Sequence, residues 1–191
     1  MNDPYLTPED VRSALAAARR VSLPVPQGYV RAAVLVPIMF TPEGPELLFT
    51  KRTDLVETHK GQISFPGGVV DHTDSGIVHT AMREADEEVG IREEDVQVLG
   101  LLSDLETPTG FIITPVVGSV SPVVTIRPNT DEVAEAFRVS LQLFKEPARG
   151  RREDRLVRGV EREVWHYETG THTIWGATAA IVRSLLDILP R

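Results

Sequence analysis

Glu84, Glu87 and Glu88 fall close together in the run Arg83-Glu84-Ala85-Asp86-Glu87-Glu88-Val89-Gly90-Ile91. On a helix that turns about 100° per residue, Val78, Met82, Ala85 and Val89 form one apolar stripe, and the three glutamates gather on roughly the opposite side. Like charges at these spacings destabilise a helix by about 0.2–0.5 kcal/mol per pair. Glu87 and Glu88 also precede the helix stop at Gly90, where the negative end of the dipole disfavours an acid by about 0.3–1 kcal/mol. An acidic solvent face is one reading of such a run. A hard divalent cation, which takes oxygen ligands and offsets the repulsion, is the other.

The flanking residues favour the cation. Upstream lies Phe65-Pro66-Gly67-Gly68, where two successive positions without side chains let the backbone approach a metal or phosphate closely. Acidic Asp71 and Asp74 follow. Gly68, five residues, Asp74, eight residues and then Arg83 to Ile91 resemble the Nudix box, with Asp74 in place of the usual Glu and one extra residue before Arg83. The second half matches nine consecutive positions of that pattern, far more than a lone glycine motif supplies. Leu48-Phe49-Thr50-Lys51-Arg52-Thr53, His59, Gly61 and Phe65 to Gly68 further resemble the segment before the box in the coenzyme A pyrophosphatases of that family. Phe49 and Glu57 depart from it, Glu57 standing where an arginine is usual. Asn129-Thr130-Asp131-Glu132-Val133, with Phe137, Val139 and Leu141, is similar to the same subfamily.

The resemblance implies an α/β Nudix fold, a mixed β-sheet sandwiched between α-helices, as one domain over residues 1–191 with an N-terminal helical extension. It implies metal-dependent hydrolysis of the pyrophosphate linkage of coenzyme A or its derivatives, giving 3′,5′-ADP and 4′-phosphopantetheine. Alternatives are a Nudix pyrophosphatase for ADP-ribose, dinucleotides or nucleoside triphosphates, and a non-catalytic Nudix-like binding module. Mg²⁺ or Mn²⁺ would be held by Glu84, Glu88 and Glu87, with the Gly68 carbonyl as a further ligand. Water would be the nucleophile, with Glu87 and Glu132 as rival general bases. Arg83 and Asp74 are expected to give structural support, and Lys51, Arg52 and His59 to contact substrate. Arginines in residues 149–158 could hold an extra 3′-phosphate.

These groups must be positioned by a chain of 191 residues, 41% hydrophobic, long enough for one sizeable core. Zero cysteines exclude disulfides, thiolate metal sites and a cysteine nucleophile, and a reducing cytoplasm is the expected location. No apolar run reaches the roughly 20 residues of a membrane span. The net charge of -8 argues against nucleic acid or anionic lipid as partner but does not identify the substrate; the resemblance implies a small nucleotide such as coenzyme A, and oligomeric state is left open.

Thr7 with Pro8, Glu9 and Asp10 predicts a helix start running to about residue 20. Strands are predicted at 30–40 and 46–52 around a turn at 42–45, then at 96–105, 112–124, 133–139 and 164–167. Helices are predicted from 74 or 75 to 89 and from 175 to 189. Residues 145–162, with arginines and acids intermixed, read as either a mobile loop or an exposed hairpin. Trp165 and Trp175 are assigned to the core rather than to an adenine platform.

Overall fold

Strand β1 (Val30–Thr41) is apolar on both faces, which in a sheet means cover on both sides. The computed structural model describes residues 6–53, 61–157 and 159–190. β1 turns at Pro42-Glu43 into β2 (Gly44–Arg52), pairing Thr41 with Gly44 and Ile38 with Leu47. On its other edge β1 runs parallel to β7 (Phe111–Val120), and β7 carries antiparallel β5 (Val96–Leu101) and β6 (Leu105–Glu106). β2 carries antiparallel β3 (Ile63–Ser64) and β8 (Val133–Ser140), while β4 (Gly67–Val69) pairs with β1 alongside Ala32 to Val34. The sheet is therefore mixed.

Helix α2 (Ile77–Val89) covers one face, where Ala81, Met82, Ala85 and Val89 meet Ala33, Leu35, Met39, Leu48 and Val116. The other face packs Val36, Ile38, Leu47 and Phe49 against α1 (Pro8–Ala17), α3 (Leu141–Lys145) and α4 (Gly176–Ile188). Helices lie on both sides of the sheet, as the sequence pattern predicts. Among the described residues no helix is long and apolar enough to cross a membrane.

Several boundaries differ from the sequence reading. α1 stops at Ala17, short of residue 20, because Arg20 is drawn to Leu102 O and the Asp104 carboxylate. The single strand expected over 96–105 breaks after Leu101, where Asp104 turns inward and Leu102 N–H donates to Pro115 O. The strand expected to reach 124 ends at Val120, before the turn at Pro122.

Asp104 is a buried organiser that no motif announces. Its fully enclosed carboxylate accepts from Arg31 at 2.7 Å, Arg20 at 3.0 Å, Thr114 at 2.8 Å and the Leu23 N–H at 2.9 Å. It thereby ties the connector after α1 to the sheet. Asp104→Ala leaves two arginines facing an empty site, and the expected loss is about 3–5 kcal/mol. A urea midpoint close to wild type would show that the connector contributes little.

Residues 145–162 resolve in favour of the hairpin. β9 (Gly150–Val157) and β10 (Val160–Glu168) pair antiparallel, and β11 (Thr173–Trp175) completes a second sheet. Trp165, Tyr167 and Ile174 face the core, with the Arg183 guanidinium 4.9 Å from the Trp165 ring centre. Trp175 corrects the core assignment: it is 44% exposed, because Ile174 takes the inward position and Trp175 lies opposite His166 on the outer side.

Candidate functional site

The three glutamates of α2 have three different environments. Glu88 lies seven residues after Ala81 and three after Ala85, so the helix carries it toward the sheet, and it is only 4% exposed. Glu84, one turn earlier, sits at the rim with 17% of its side chain exposed, whereas Glu87 points outward with 57% exposed. This corrects the expectation of one carboxylate face opposite the apolar stripe. The buried face of α2 is wider than its apolar residues alone indicate.

Both ends of α2 are fixed by specific contacts. Asp74 does not cap the helix, which starts at Ile77 after Gly76. Its enclosed carboxylate instead receives Arg83 Nε at 3.0 Å and Nη2 at 3.1 Å, the Thr80 hydroxyl at 2.8 Å and the Asp71 N–H, with His79 Nδ1 at 2.9 Å. Arg83 above all holds the Asp74 carboxyl well below the usual carboxylate range. At the other end Gly90 adopts φ 68°, and the N–H groups of Gly90 and Ile91 bond to Asp86 O and Ala85 O.

The next carbonyls of α2 are taken by the loop before β8. Asn129 N–H donates to Glu88 O at 2.8 Å and Arg127 N–H to Val89 O at 2.9 Å. On its far side the loop is tied to the end of β2, since Thr53 N–H donates to Glu132 O at 2.9 Å and the Thr53 hydroxyl to Asp131 O. This strap brings the Glu132 charge within electrostatic reach of Glu84 and Glu88.

Burial raises the Glu84 carboxyl above its ordinary range, with Arg83 opposing and Glu87 and Glu132 adding. Burial pushes Glu88 further, up to about 8, with Arg52 opposing. Among the described residues two atoms here are buried without a hydrogen-bond partner, Glu88 Oε2 and Arg52 Nε. Arg52 Nη1 stands 3.9 Å from Glu88 Oε1, an ion pair too long for a hydrogen bond.

Gly67 and Gly68 explain how strand and helix come so close. A side-chain carbon on Gly67 would strike the Ala33 carbonyl and Val34, and one on Gly68 would strike the Glu84 carboxylate. Val69, Val70, Asp71, Thr73, Arg83, Glu84 and Glu87 then line an open cleft of about 380 Å³.

Among the described residues no three His, Cys, Asp or Glu side chains close on one point. Glu84 is turned to Arg83 Nη1 at 2.8 Å, and Glu88 faces Arg52. The donor set still fits a hard divalent cation. It offers carboxylate oxygens only, one of them buried and unpartnered, beside a glycine that leaves room for the others. Gly68→Ala should displace Glu84 and weaken Mn²⁺ binding by about 10- to 100-fold, the usual cost of disturbing a ligand's support. Titration calorimetry giving a wild-type Kd would remove Gly68 from the site.

The sequence candidates are not all brought together. Arg52 shares the α2 face of β2 with Leu48, whereas Lys51 follows Leu47 and Phe49 on the opposite face, so strand alternation separates Lys51 from the glutamates. His59 and Glu57 lie outside the described residues, as does Arg158. In the hairpin and its flank, Arg149 pairs with Glu146, Arg151 and Arg155 with Glu153, and Arg152 with Glu163. The Arg52–Glu88 pair is a feature that motif reading misses, because its partners are 36 residues apart and no pattern links them.

The NUDIX domain model matches residues 30–158. A protein described as the uncharacterized Nudix hydrolase NudL of Photorhabdus laumondii is 42% identical over 81% of this chain and 82% of its own length. The protein of the same description from Shigella flexneri is 38% identical over 94% of this chain and 93% of its own. Among solved structures, DR0079 from Deinococcus radiodurans is similar with a TM-score of 0.54 and 15% identity, over 87% of this chain and 85% of that one.

Proposed function

This chain belongs to the Nudix family, and from that premise we propose that it hydrolyses the pyrophosphate linkage of coenzyme A or a derivative. The products would be 3′,5′-ADP and 4′-phosphopantetheine or its acyl form. The observation that carries the hydrolytic reading is Glu88, a buried carboxylate with an oxygen unpartnered among the described residues, one turn from Glu84 and facing the Arg52 guanidinium. A carboxylate left so is costly unless a ligand completes it. The substrate is supported by the resemblance of residues 48–53 and 65–68 to coenzyme A pyrophosphatases; of these residues Arg52 stands beside Glu88 and Gly68 beside Glu84.

Glu84 and Glu88 would hold the cation, with Glu87 and the Gly68 carbonyl as further ligands. Mg²⁺ or Mn²⁺, when bound, screens phosphate charge and lowers the pKa of a water ligand. Arg52 offers a guanidinium to a phosphate oxygen. Water attacks one phosphorus, the bond to the bridging oxygen breaks, and Glu132 or Glu87 accepts the proton the water loses. Arg83, held by both Asp74 oxygens, orients Glu84 and Glu87 rather than touching substrate.

Mass spectrometry of products from coenzyme A, ADP-ribose, a dinucleotide and a nucleoside triphosphate, with Mg²⁺ or Mn²⁺, tests this. The expected result is the highest kcat/KM for coenzyme A with the two stated products. A much higher value for ADP-ribose would reassign the substrate. Tight binding without turnover of any of them would point to a binding module.

A further inference from the structure

Each carboxylate of the cluster is met by an arginine, and the two arginines are held very differently. Arg83 is anchored to both Asp74 oxygens, to Glu84, to Glu87 and to the Val69 carbonyl, so it cannot leave without breaking five contacts. Arg52 meets Glu88 at 3.9 Å, its Nε has no partner among the described residues, and 28% of its side chain reaches solvent. It is a cation placed beside a buried carboxylate but not locked to it.

We infer that Arg52 is a displaceable counter-ion for Glu88 that couples divalent-cation binding to phosphate binding. The inference rests on the metal-hydrolase reading above and adds an order to it. Without substrate, Arg52 opposes cation entry by repelling a second positive charge from the carboxylate it stands beside. A pyrophosphate group offers the guanidinium stronger, bidentate acceptors than a carboxylate oxygen 3.9 Å away. Once Arg52 turns to the phosphate, both Glu88 oxygens are open to the cation and the nearest repelling charge has moved away. Coupling of this kind is reciprocal, so the cation must favour pyrophosphate binding by the same factor. The register shift between Lys51 and Arg52 in the β2–β8 ladder puts Arg52 at an irregular point of the strand, the kind of place where a side chain is re-aimed.

The test is calorimetry of Mn²⁺ binding to the full chain, alone and with methylenediphosphonate, an uncleavable pyrophosphate analogue. Arg52→Gln should bind Mn²⁺ alone more tightly than wild type, by about 5-fold or more, within the range usual for coupled sites. The tightening produced by the analogue should shrink in the same variant, the remainder measuring direct contact between cation and phosphonate. Arg52→Lys should fall between, and a matched melting temperature would show that each variant is folded. Lys51→Gln removes the same charge one residue away on the opposite sheet face, and should shift the Mn²⁺ Kd much less. Unchanged or weaker Mn²⁺ binding in Arg52→Gln, or an undiminished gain from the analogue, overturns the inference while leaving the metal site in place. Wild-type Mn²⁺ binding in Glu88→Gln overturns the metal reading itself, and the inference with it.

Discussion

Glu88→Gln is expected to lose at least about a hundredfold in turnover while remaining folded, and Glu84→Gln to lose a comparable amount. Metal stabilisation of the developing charge is worth several kcal/mol, and about 3 kcal/mol corresponds to roughly a hundredfold in rate. The fold should survive because Gln keeps the volume of Glu and removes a charge that burial already disfavours. The same substitution carries a pH signature in the metal-free protein. The Glu88 carboxyl lies near 8 in the folded chain, against an ordinary value of 4.5, so between these values the native state binds more protons than the unfolded one. Glu88 therefore lowers stability as pH rises through that window, and Glu88→Gln should become progressively more stable than wild type from pH 5 to about 8 in chelator. Thermal melts across that range, with and without Mn²⁺, measure both effects. Wild-type turnover in Glu88→Gln at matched metal, or a stability difference that does not change with pH, would contradict this account.

What the sequence discloses here follows from periodicity, and what it hides follows from contacts between distant segments. The glutamate helix and its Gly90 stop were legible because spacing and a left-handed glycine are local properties. The burial of Glu88 was not, since it depends on Ala81 and Ala85 being drawn to the sheet and carrying the charge with them. Period-two alternation along β2 separates Lys51 from Arg52, a distinction the linear motif blurs by placing both in one string. The hairpin of β9 and β10 lacks an apolar signature because charged cross-strand pairs such as Arg152 with Glu163, at 2.7 Å, accompany its ladder. Trp175, the last residue of β11, is exposed because Ile174 before it takes the inward position. Asp104 left no trace at all, its partners Arg20 and Arg31 being more than 70 residues away.

The rival bases Glu87 and Glu132 can be ranked from what holds each of them. Glu87 Oε2 accepts from Arg83 Nη1 at 3.1 Å, the same nitrogen that bonds Glu84 at 2.8 Å. Taking a proton at that oxygen would weaken a contact that also orients Glu84. Glu132 stands on the loop strapped between α2 and β2, and the strap uses its backbone carbonyl, not its carboxylate. Its exposed carboxylate has no partner among the described residues and can receive a proton, while the loop holds it within electrostatic reach of Glu84 and Glu88. Glu132→Gln is accordingly expected to lower kcat by about 10²- to 10⁴-fold, the usual worth of a general base, with the Mn²⁺ Kd little changed. Glu87→Gln should cost less in kcat and should loosen Mn²⁺ binding instead, through Arg83 and Glu84. The Thr53 N–H bonds to the backbone carbonyl of residue 132, which the substitution leaves in place, so the loop is expected to keep its position. Steady-state rates and Mn²⁺ calorimetry on the two variants decide the matter: a larger kcat loss in Glu87→Gln, at saturating metal, assigns the base to the helix.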